Sequence, residues 1–590
     1  MKGIRLENLW KPVIWILMAA MAFLWVACKG IPEETDHQPH QSEGTVTTNR
    51  SWWNTTTIYQ IYPRSFADSD DDGIGDLTGI ISKLDYIKSL GFETIWISPF
   101  FKSPQQDFGY DISDYCDIAP EYGTLADAER LIQEIHARGM KVLFDLVLNH
   151  TSIQHPWFQE SRNSRSNPKR DWYIWQNGRG KRPPNNWKAI PGGSGWHYDE
   201  GSDQWFYASF LPFQPDLNWR NPEVKQIMFD AMQFWLDKGV DGFRLDIFQS
   251  VYKDVEFRNN PFALKLLSLE EGAGYFQKWI YTLNQPEVFE LAKELRSLAE
   301  SYTPERMLIG EVFGSIADQK RFLGENQDGL NLAFLWELLN LKGTADFLRN
   351  AIQHYEQHYP APYTPVYVYG NHDRKRYISH VSGDLRIAKL LALMQFTVRG
   401  VPVTYYGEEI GMPDGEFPAK TALDPIAQNF AWMPAFLTNM MGLYINRDGC
   451  RTPMQWDNGP NAGFCSMEVD PWLPVPEGQQ AVSVAEQTAD ESSLLNLYRN
   501  LLRLRGDHAT LQTGSLEMVS EENQEKDVLA YTRSSGDQTL LILLNFGEKP
   551  ISLKKPTSFN KLLFSVGPDH TGISEISQLP PFGGVVLEIE

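Results

Sequence analysis

The sequence predicts an α/β protein built on a closed (β/α)8, or TIM, barrel, with a subdomain inserted after the third strand and an antiparallel β domain at the C-terminus. From Trp52 onward, β-rich runs alternate with helical patterns, and there are eight such runs. That number and alternation imply parallel pairing and closure. Four of the runs also end in acids, histidines or an arginine, at the strand ends where a barrel gathers its chemistry.

The strand runs are "TTIYQIYP", "FETIWISP", "KVLFDLVLNH", "GFRLDIF", "MLIGEVF", "LNLAFLW", "PVYVYGNHD" and "VPVTYYGEE". Between the first two, Leu77, Ile81, Leu84, Ile87 and Leu90 recur at three- or four-residue steps and predict a helix with one apolar stripe. "DAERLIQEIHARG" and "IAKLLALMQFTV" read the same way ahead of their own strands. Residues 151–219, rich in Trp, Gly, Pro and Asn, are too many for a crossover and predict the inserted subdomain, leaving 52–150 and 220–480 to the barrel. Residues 481–590 open with a last helix, "SLLNLYRNLLRLRGDH", and pass into alternating runs such as "DVLAYTRS", "QTLLILLNF" and "GGVVLEI", expected to form a β-sandwich.

Bulk composition agrees with a large globular protein of more than one domain. The chain has 590 residues and is 42% hydrophobic, enough for several cores. A net charge of −22 argues against nucleic acid or an anionic membrane surface as a partner, and permits a neutral substrate. Nineteen Trp and 24 Tyr suit stacking on the apolar faces of sugars.

The N-terminus reads as an address. Lys2, Arg5 and Lys11 precede an apolar run, Val13 to Ala27, shorter than a membrane span and suited to a signal peptide. Residues 29–51 are polar and expected to be a flexible tether. Outside the cytoplasm a Cys450–Cys465 disulfide is chemically allowed.

The strand-end groups are Asp145, Asn149 and His150; Arg244 and Asp246; Glu311; and His372 and Asp373. Taken singly, each also fits a helix cap or a turn. Taken together they make a reaction centre. Arg244 and Asp246 lie two apart on a strand and face the same way, so the cation keeps the carboxylate ionised, as a nucleophile requires. Glu311 has no cation adjacent in sequence, so beside an ionised aspartate it holds its proton and acts as a general acid. Two such carboxylates roughly 5–5.5 Å apart carry out retaining glycoside hydrolysis. Asp373 and the histidines would bind sugar hydroxyls.

With these motifs in this order, "QPDLNW" (Gln214 to Trp219) between the first two and "RTPMQWD" (Arg451 to Asp457) after the last, residues 52–590 resemble the α-amylase superfamily, in its oligo-1,6-glucosidase and α-glucosidase (maltase) branch. The resemblance implies Asp246 as nucleophile, Glu311 as acid/base and Asp373 as transition-state stabiliser, with His150, Gln214, Arg244 and His372 lining the glucose site. It also implies that Asp107 of "DFGYD" holds the non-reducing glucose, that Tyr110 stacks beneath it, and that Arg447 pairs with Asp107. Such a pair closes the far end of the cleft and implies exo-action on short α-linked gluco-oligosaccharides or disaccharides. Phe108 departs from the Asn common in bacterial relatives. Ile247, β-branched like the Val that favours α-1,6 linkages in relatives, leans the reading toward α-1,6 over α-1,4. Related enzymes that transfer glucose or isomerise trehalose or sucrose use the same intermediate, and membrane-tethered transporter heavy chains use the same fold without catalysis; the presence of all three acids weighs against the latter.

"LWVAC" resembles a bacterial lipoprotein site, with Cys28 lipidated, although Trp25 stands where Leu is usual. It implies an exported, membrane-anchored lipoprotein, periplasmic or at the cell surface. "DSDDDGIGD" places acids at alternate positions like an EF-hand loop, but its twelfth residue is Gly79 rather than Glu, so that reading fails. In this branch it resembles a divalent-cation loop, with Asp68, Asp70, Asp72, the Ile74 carbonyl and Asp76 as ligands. Hard oxygen donors suit structural Ca2+, with Mg2+ as the alternative.

Overall fold

Strands of a parallel barrel are buried on both faces and need unbroken apolar runs, which is what the eight segments supply. The computed structural model describes residues 51–268, 271–433, 444–476, 482–520, 525–567 and 575–589. The barrel strands are β1 (Ile58–Ile61), β2 (Thr94–Ile97), β3 (Lys141–Leu146), β4 (Gly242–Leu245), β5 (Met307–Gly310), β6 (Leu332–Ala333), β7 (Val366–Val368) and β8 (Val401–Tyr405). Parallel ladders join every neighbouring pair from β6 back through β1 to β8 and β7. The seam therefore falls between β6 and β7, where β6 is only two residues long. Side chains close it: Leu332 and Phe334 share one buried cluster with Val366, Val368 and Trp96 inside the barrel.

The outer helices follow the apolar stripes, with one correction. Residues 77–90 form two helices, Leu77–Ser82 and Leu84–Leu90, broken at Lys83. The break rotates Ile80 into the core and leaves Ile81 half-buried, because the stripe does not run on through Lys83. Helix Leu125–Ala137 has a full capping box between Thr124 and Asp127.

The inserted segment forms a three-stranded antiparallel sheet (Trp175–Gln176, Trp196–Asp199, Gln204–Tyr207) around Trp187, Trp196 and Tyr207. At the C-terminus, helix Leu494–Asp507 leads into a five-stranded and a two-stranded antiparallel sheet. Buried Arg505 and Arg533 tie this domain to the barrel by donating to main-chain carbonyls of 396–400. An excursion after β4, residues 252–283, carries three very short antiparallel strands that the apolar patterning does not predict.

Cys450 and Cys465 are not bridged; both thiols are free, and Cys450 Sγ donates to the Arg447 carbonyl at 3.1 Å. Cys28, the signal segment and residues 29–50 of the tether lie outside the described residues. Among the described residues, no helix is long and apolar enough to cross a membrane.

Candidate active site

Strand register brings the acids together. Asp145 on β3 lies opposite Arg244 on β4, and Arg244 lies opposite Ile309 on β5. Alternation then puts Asp145, Arg244, Asp246 and Glu311 on one side of three adjacent strands. The Arg244 guanidinium, buried among them, binds all three acids: Asp145 Oδ1 and Asp246 Oδ1 each at 2.8 Å, and Glu311 Oε2 at 2.5 Å. This corrects the expectation that Glu311 stands without a cation: Arg244 reaches it across the ladder, a contact that adjacency in sequence does not show.

Burial pushes Asp246 well above the usual carboxylate range; Arg244 opposes that, and Glu311 and Asp145 add to it. Burial likewise lifts Asp145 to about 6 against the pull of Arg244. Ile247, next along, has φ +30, a strained conformation for a β-branched residue that costs about 1–3 kcal/mol. The turn aims its N–H at Glu311 Oε2 (3.2 Å) and its side chain into the cavity. Both donors use Oε2, and neither uses Oε1.

Asp373 sits across the cavity on the loop after β7. Arg447 Nη1 (3.1 Å) and Arg451 Nη2 (2.9 Å) both reach its Oδ1, and His372 Nε2 reaches Oδ2 at 3.0 Å. Burial opposes ionisation, but His372, Arg447 and Arg451 outweigh it and hold the carboxyl well below its usual range. His372 stacks on Tyr110, with ring centroids 5.3 Å apart. Gln60 Nε2 donates to His372 Nδ1 at 2.8 Å, which leaves the ring proton on Nε2, toward Asp373 and the Tyr110 oxygen. Tyr110 donates onward to Asp145. His150 Nε2 donates to the Tyr110 carbonyl at 3.2 Å, and burial lowers its pKa to about 3.

The far end of the cavity is closed by charge. Arg447 Nη2 donates to Asp107 Oδ1 at 2.7 Å, and Gln214 Nε2 to Asp107 Oδ2 at 3.0 Å. Asp107, Tyr110, His150, Gln214, Asp246, Glu311, Asp373 and Arg447 all line one cavity of about 400 Å³. Arg244 lies beneath it, and His372 stands behind Tyr110 and Asp373.

Sequence reasoning missed Asp424, which grips Arg447 through Nε, Nη2 and the main-chain N–H. It gave Arg451 no role and overlooked Gln60. Asp424 lies at no strand end. Gln60 was findable: it sits mid-strand in β1, where a polar side chain between apolar neighbours signals a barrel interior with something to bind.

In the acidic loop, carboxylate oxygens of Asp68, Asp70 and Asp76 lie within 4.8 Å of one another. Asp72 is not in that trio; its Oδ1 accepts the Ile74 N–H at 2.8 Å. Burial raises the pKa of Asp68 and Asp70, and for Asp70 the charges of Asp72 and Asp76 add to it, so a hard cation would relieve the crowding. The donor set fits Ca2+. The loop also holds the segment that follows Phe464: Asp68 N–H donates to the Phe464 carbonyl and Trp472 N–H to that of Gly73. Trp472 in turn packs on Phe108, with centroids 5.0 Å apart, beside Asp107.

Acids at the strand ends of a (β/α)8 barrel, three of them on one guanidinium and a fourth facing them across a blind pocket, are the equipment of a glycoside hydrolase. The family model for the alpha-amylase catalytic domain matches residues 60–514. The chain belongs to the α-amylase family of glycoside hydrolases. It is 36% identical over 534 residues to an oligo-1,6-glucosidase of Parageobacillus thermoglucosidasius, covering 86% of this chain and 92% of that one. Among solved structures, it resembles the alpha-glucosyl transfer enzyme XgtA (36% identity, TM-score 0.82) and the trehalulose synthase MutB of Pseudomonas mesoacidophila MX-45 (32%, TM-score 0.83). Each match covers 92% of this chain and all of the other.

Proposed function

We propose that the protein is a retaining, exo-acting α-glucosidase that releases glucose from the non-reducing end of short α-glucosides. The observation that carries this is the Arg244 guanidinium shared by Asp246 and Glu311. A single planar group that hydrogen-bonds both carboxylates favours the close spacing of retaining enzymes over the 6.5–9.5 Å or so of inverting ones.

Asp246 attacks the anomeric carbon while Glu311 protonates the departing oxygen, and a covalent glucosyl-enzyme forms. Glu311, now ionised, takes a proton from water, which displaces Asp246 and restores both groups. Asp373 and Asp107 accept hydrogen bonds from the glucose hydroxyls, and their arginines fix both carboxylates in place. The Asp107–Arg447 pair blocks the cavity beyond one glucose unit, which supports exo-action. Ile247, lining the cavity beside the nucleophile, supports α-1,6 over α-1,4 preference.

Isomaltose and maltose are the test substrates, with Asp246→Asn as control. Glucose should appear first as the α-anomer by NMR, with higher kcat/KM on isomaltose. Absence of glucose from both would refute the activity, and β-glucose as first product would refute retention. If sugar rather than water intercepts the intermediate, new disaccharides appear instead, as expected of a transferase or isomerase.

Two further roles belong to this reading. Ca2+ at Asp68, Asp70 and Asp76 would be structural, bracing the loop against 464–472. Export and lipid anchoring at Cys28 rest on the sequence pattern alone, and metabolic labelling with palmitate tests them against Cys28→Ala.

A further inference from the structure

The glucose end of the cavity is built of charges, and the outer end is not. The excursion after β4 presents Leu266, Leu267 and Tyr275 to the cavity, and Ile190 and Phe210 of the inserted subdomain face it along with Phe313. Excursion and subdomain meet where the Tyr275 ring lies against Gly192; a Cβ on that glycine would stand 3.0 Å from the ring. Besides the acids, Arg447 and Arg374 are the charged side chains among the described lining residues; Arg447 is held by Asp107 and Asp424, and the Arg374 guanidinium lies over the Trp336 ring.

A glucose unit as leaving group carries hydroxyls round its rim, and each must find a partner when it leaves water. Leucine, isoleucine and phenylalanine offer none. Leu266 and Leu267 are 39% and 37% exposed, apolar area waiting to be covered. Elsewhere on the same excursion Phe262 and Phe276 stack with centroids 6.4 Å apart and are 74% and 50% exposed. Exposed apolar side chains that line a catalytic cavity mark a binding site rather than ordinary surface.

We propose that this outer half is a subsite for an apolar aglycone, so that the enzyme's preferred substrates are α-glucosides of hydrophobic alcohols. The inference rests on the α-glucosidase reading and names its substrate class. It agrees with the α-1,6 preference, because in isomaltose, as in an alkyl glucoside, the departing oxygen is that of a primary alcohol.

The test is hydrolysis of methyl, butyl and hexyl α-D-glucopyranoside by the full chain. The three leaving groups are alcohols of similar basicity, so a gain with chain length reports the subsite and not the chemistry. Full burial would give about fourfold per methylene; a rise in kcat/KM of at least tenfold from methyl to hexyl is expected. Leu266→Asp should bring that ratio below about three, and Leu267→Asn should lower it in the same direction. Turnover of the methyl glucoside with no gain for hexyl in the wild type overturns this inference and leaves the glucosidase reading standing. No turnover of any α-glucoside overturns both.

Discussion

Arg244 donates to Glu311 at 2.5 Å, so the cation that spacing assigns to the nucleophile grips the acid as well. Its loss would leave three buried carboxylates facing one another. Asp246 must be ionised to attack, and burial already raises its pKa, so activity should fall as pH drops through a value above the ordinary carboxylate range. Arg244→Gln removes the opposing charge. The acid limb of kcat/KM should then move to higher pH, and the rate at neutral pH should fall about 10³-fold, about 4 kcal/mol. An unmoved acid limb would show that another group titrates there.

The roles of nucleophile and acid separate on a substrate whose leaving group needs no proton. Glu311→Gln should lose about 10²–10⁴ in kcat on isomaltose yet cleave α-glucosyl fluoride nearly as well as the wild type. Asp246→Asn should lose both activities. Equal losses on both substrates for Glu311→Gln would argue that Glu311 does more than donate a proton.

Burial holds His372 down to about 4, against the pull of Asp373 and with help from Arg451 and Arg244. The unfolded chain, with His near 6.5, therefore binds more protons between those values. The stability that comes from burying a neutral imidazole is complete above about pH 6.5 and is lost as pH falls toward 4; it amounts to about 3 kcal/mol. Asp145, lifted to about 6, works in the opposite sense over part of that range, so the measurement is a difference. The Tm advantage of the wild type over His372→Asn should shrink as pH is lowered from 7 to 5. A constant gap would contradict a buried neutral His372.

Chelation tests the acidic loop. Ca2+ at a hundredfold above its Kd would add about 3 kcal/mol, so EGTA should lower Tm measurably and added Ca2+ should restore it. Because Trp472 links the loop to Phe108 beside Asp107, KM should rise on chelation at temperatures where the chain stays folded. Asp70→Asn should abolish the Ca2+ response. A Tm indifferent to both treatments would mean the loop works without metal.

What the sequence revealed and what it hid divide along a physical line. Eight strands were readable because parallel strands buried on both faces are long apolar runs, and Asp246, Glu311 and Asp373 were readable because each terminates one. Residues 252–283 were not, since strands of two residues carry no periodicity. Asp424 was hidden for a different reason: it acts on Arg447, 23 residues onward, through a loop path that no repeat encodes. Lys83 shows the limit of the helical stripe itself, where one non-helical residue moved Ile80, not Ile81, into the core.

Lys253 presents the same difficulty, and its prediction follows from how deeply it is buried. Its ammonium contacts Asp216 of the inserted subdomain and donates to Asn149 Oδ1 at 2.7 Å, at the end of β3. Asp216 is held from its own side by Ser209, whose N–H donates to Oδ1 at 2.8 Å, and it bridges to His150 along the backbone. The pair therefore pins the loop after the nucleophile strand, the inserted subdomain and the His150 strand end to one another. Removing one partner leaves a buried, unpaired charge, which costs about 3–5 kcal/mol, whereas replacing both by apolar groups is often close to neutral. Lys253→Met should accordingly lower Tm by about 5 °C or more, and raise KM as His150 shifts. Lys253→Met/Asp216→Leu should recover most of the stability without recovering KM, because the hydrogen bonds that orient Asn149 and Ser209 stay broken. If the double variant is no more stable than the single, the charge was never the cost, and the pin holds by packing alone.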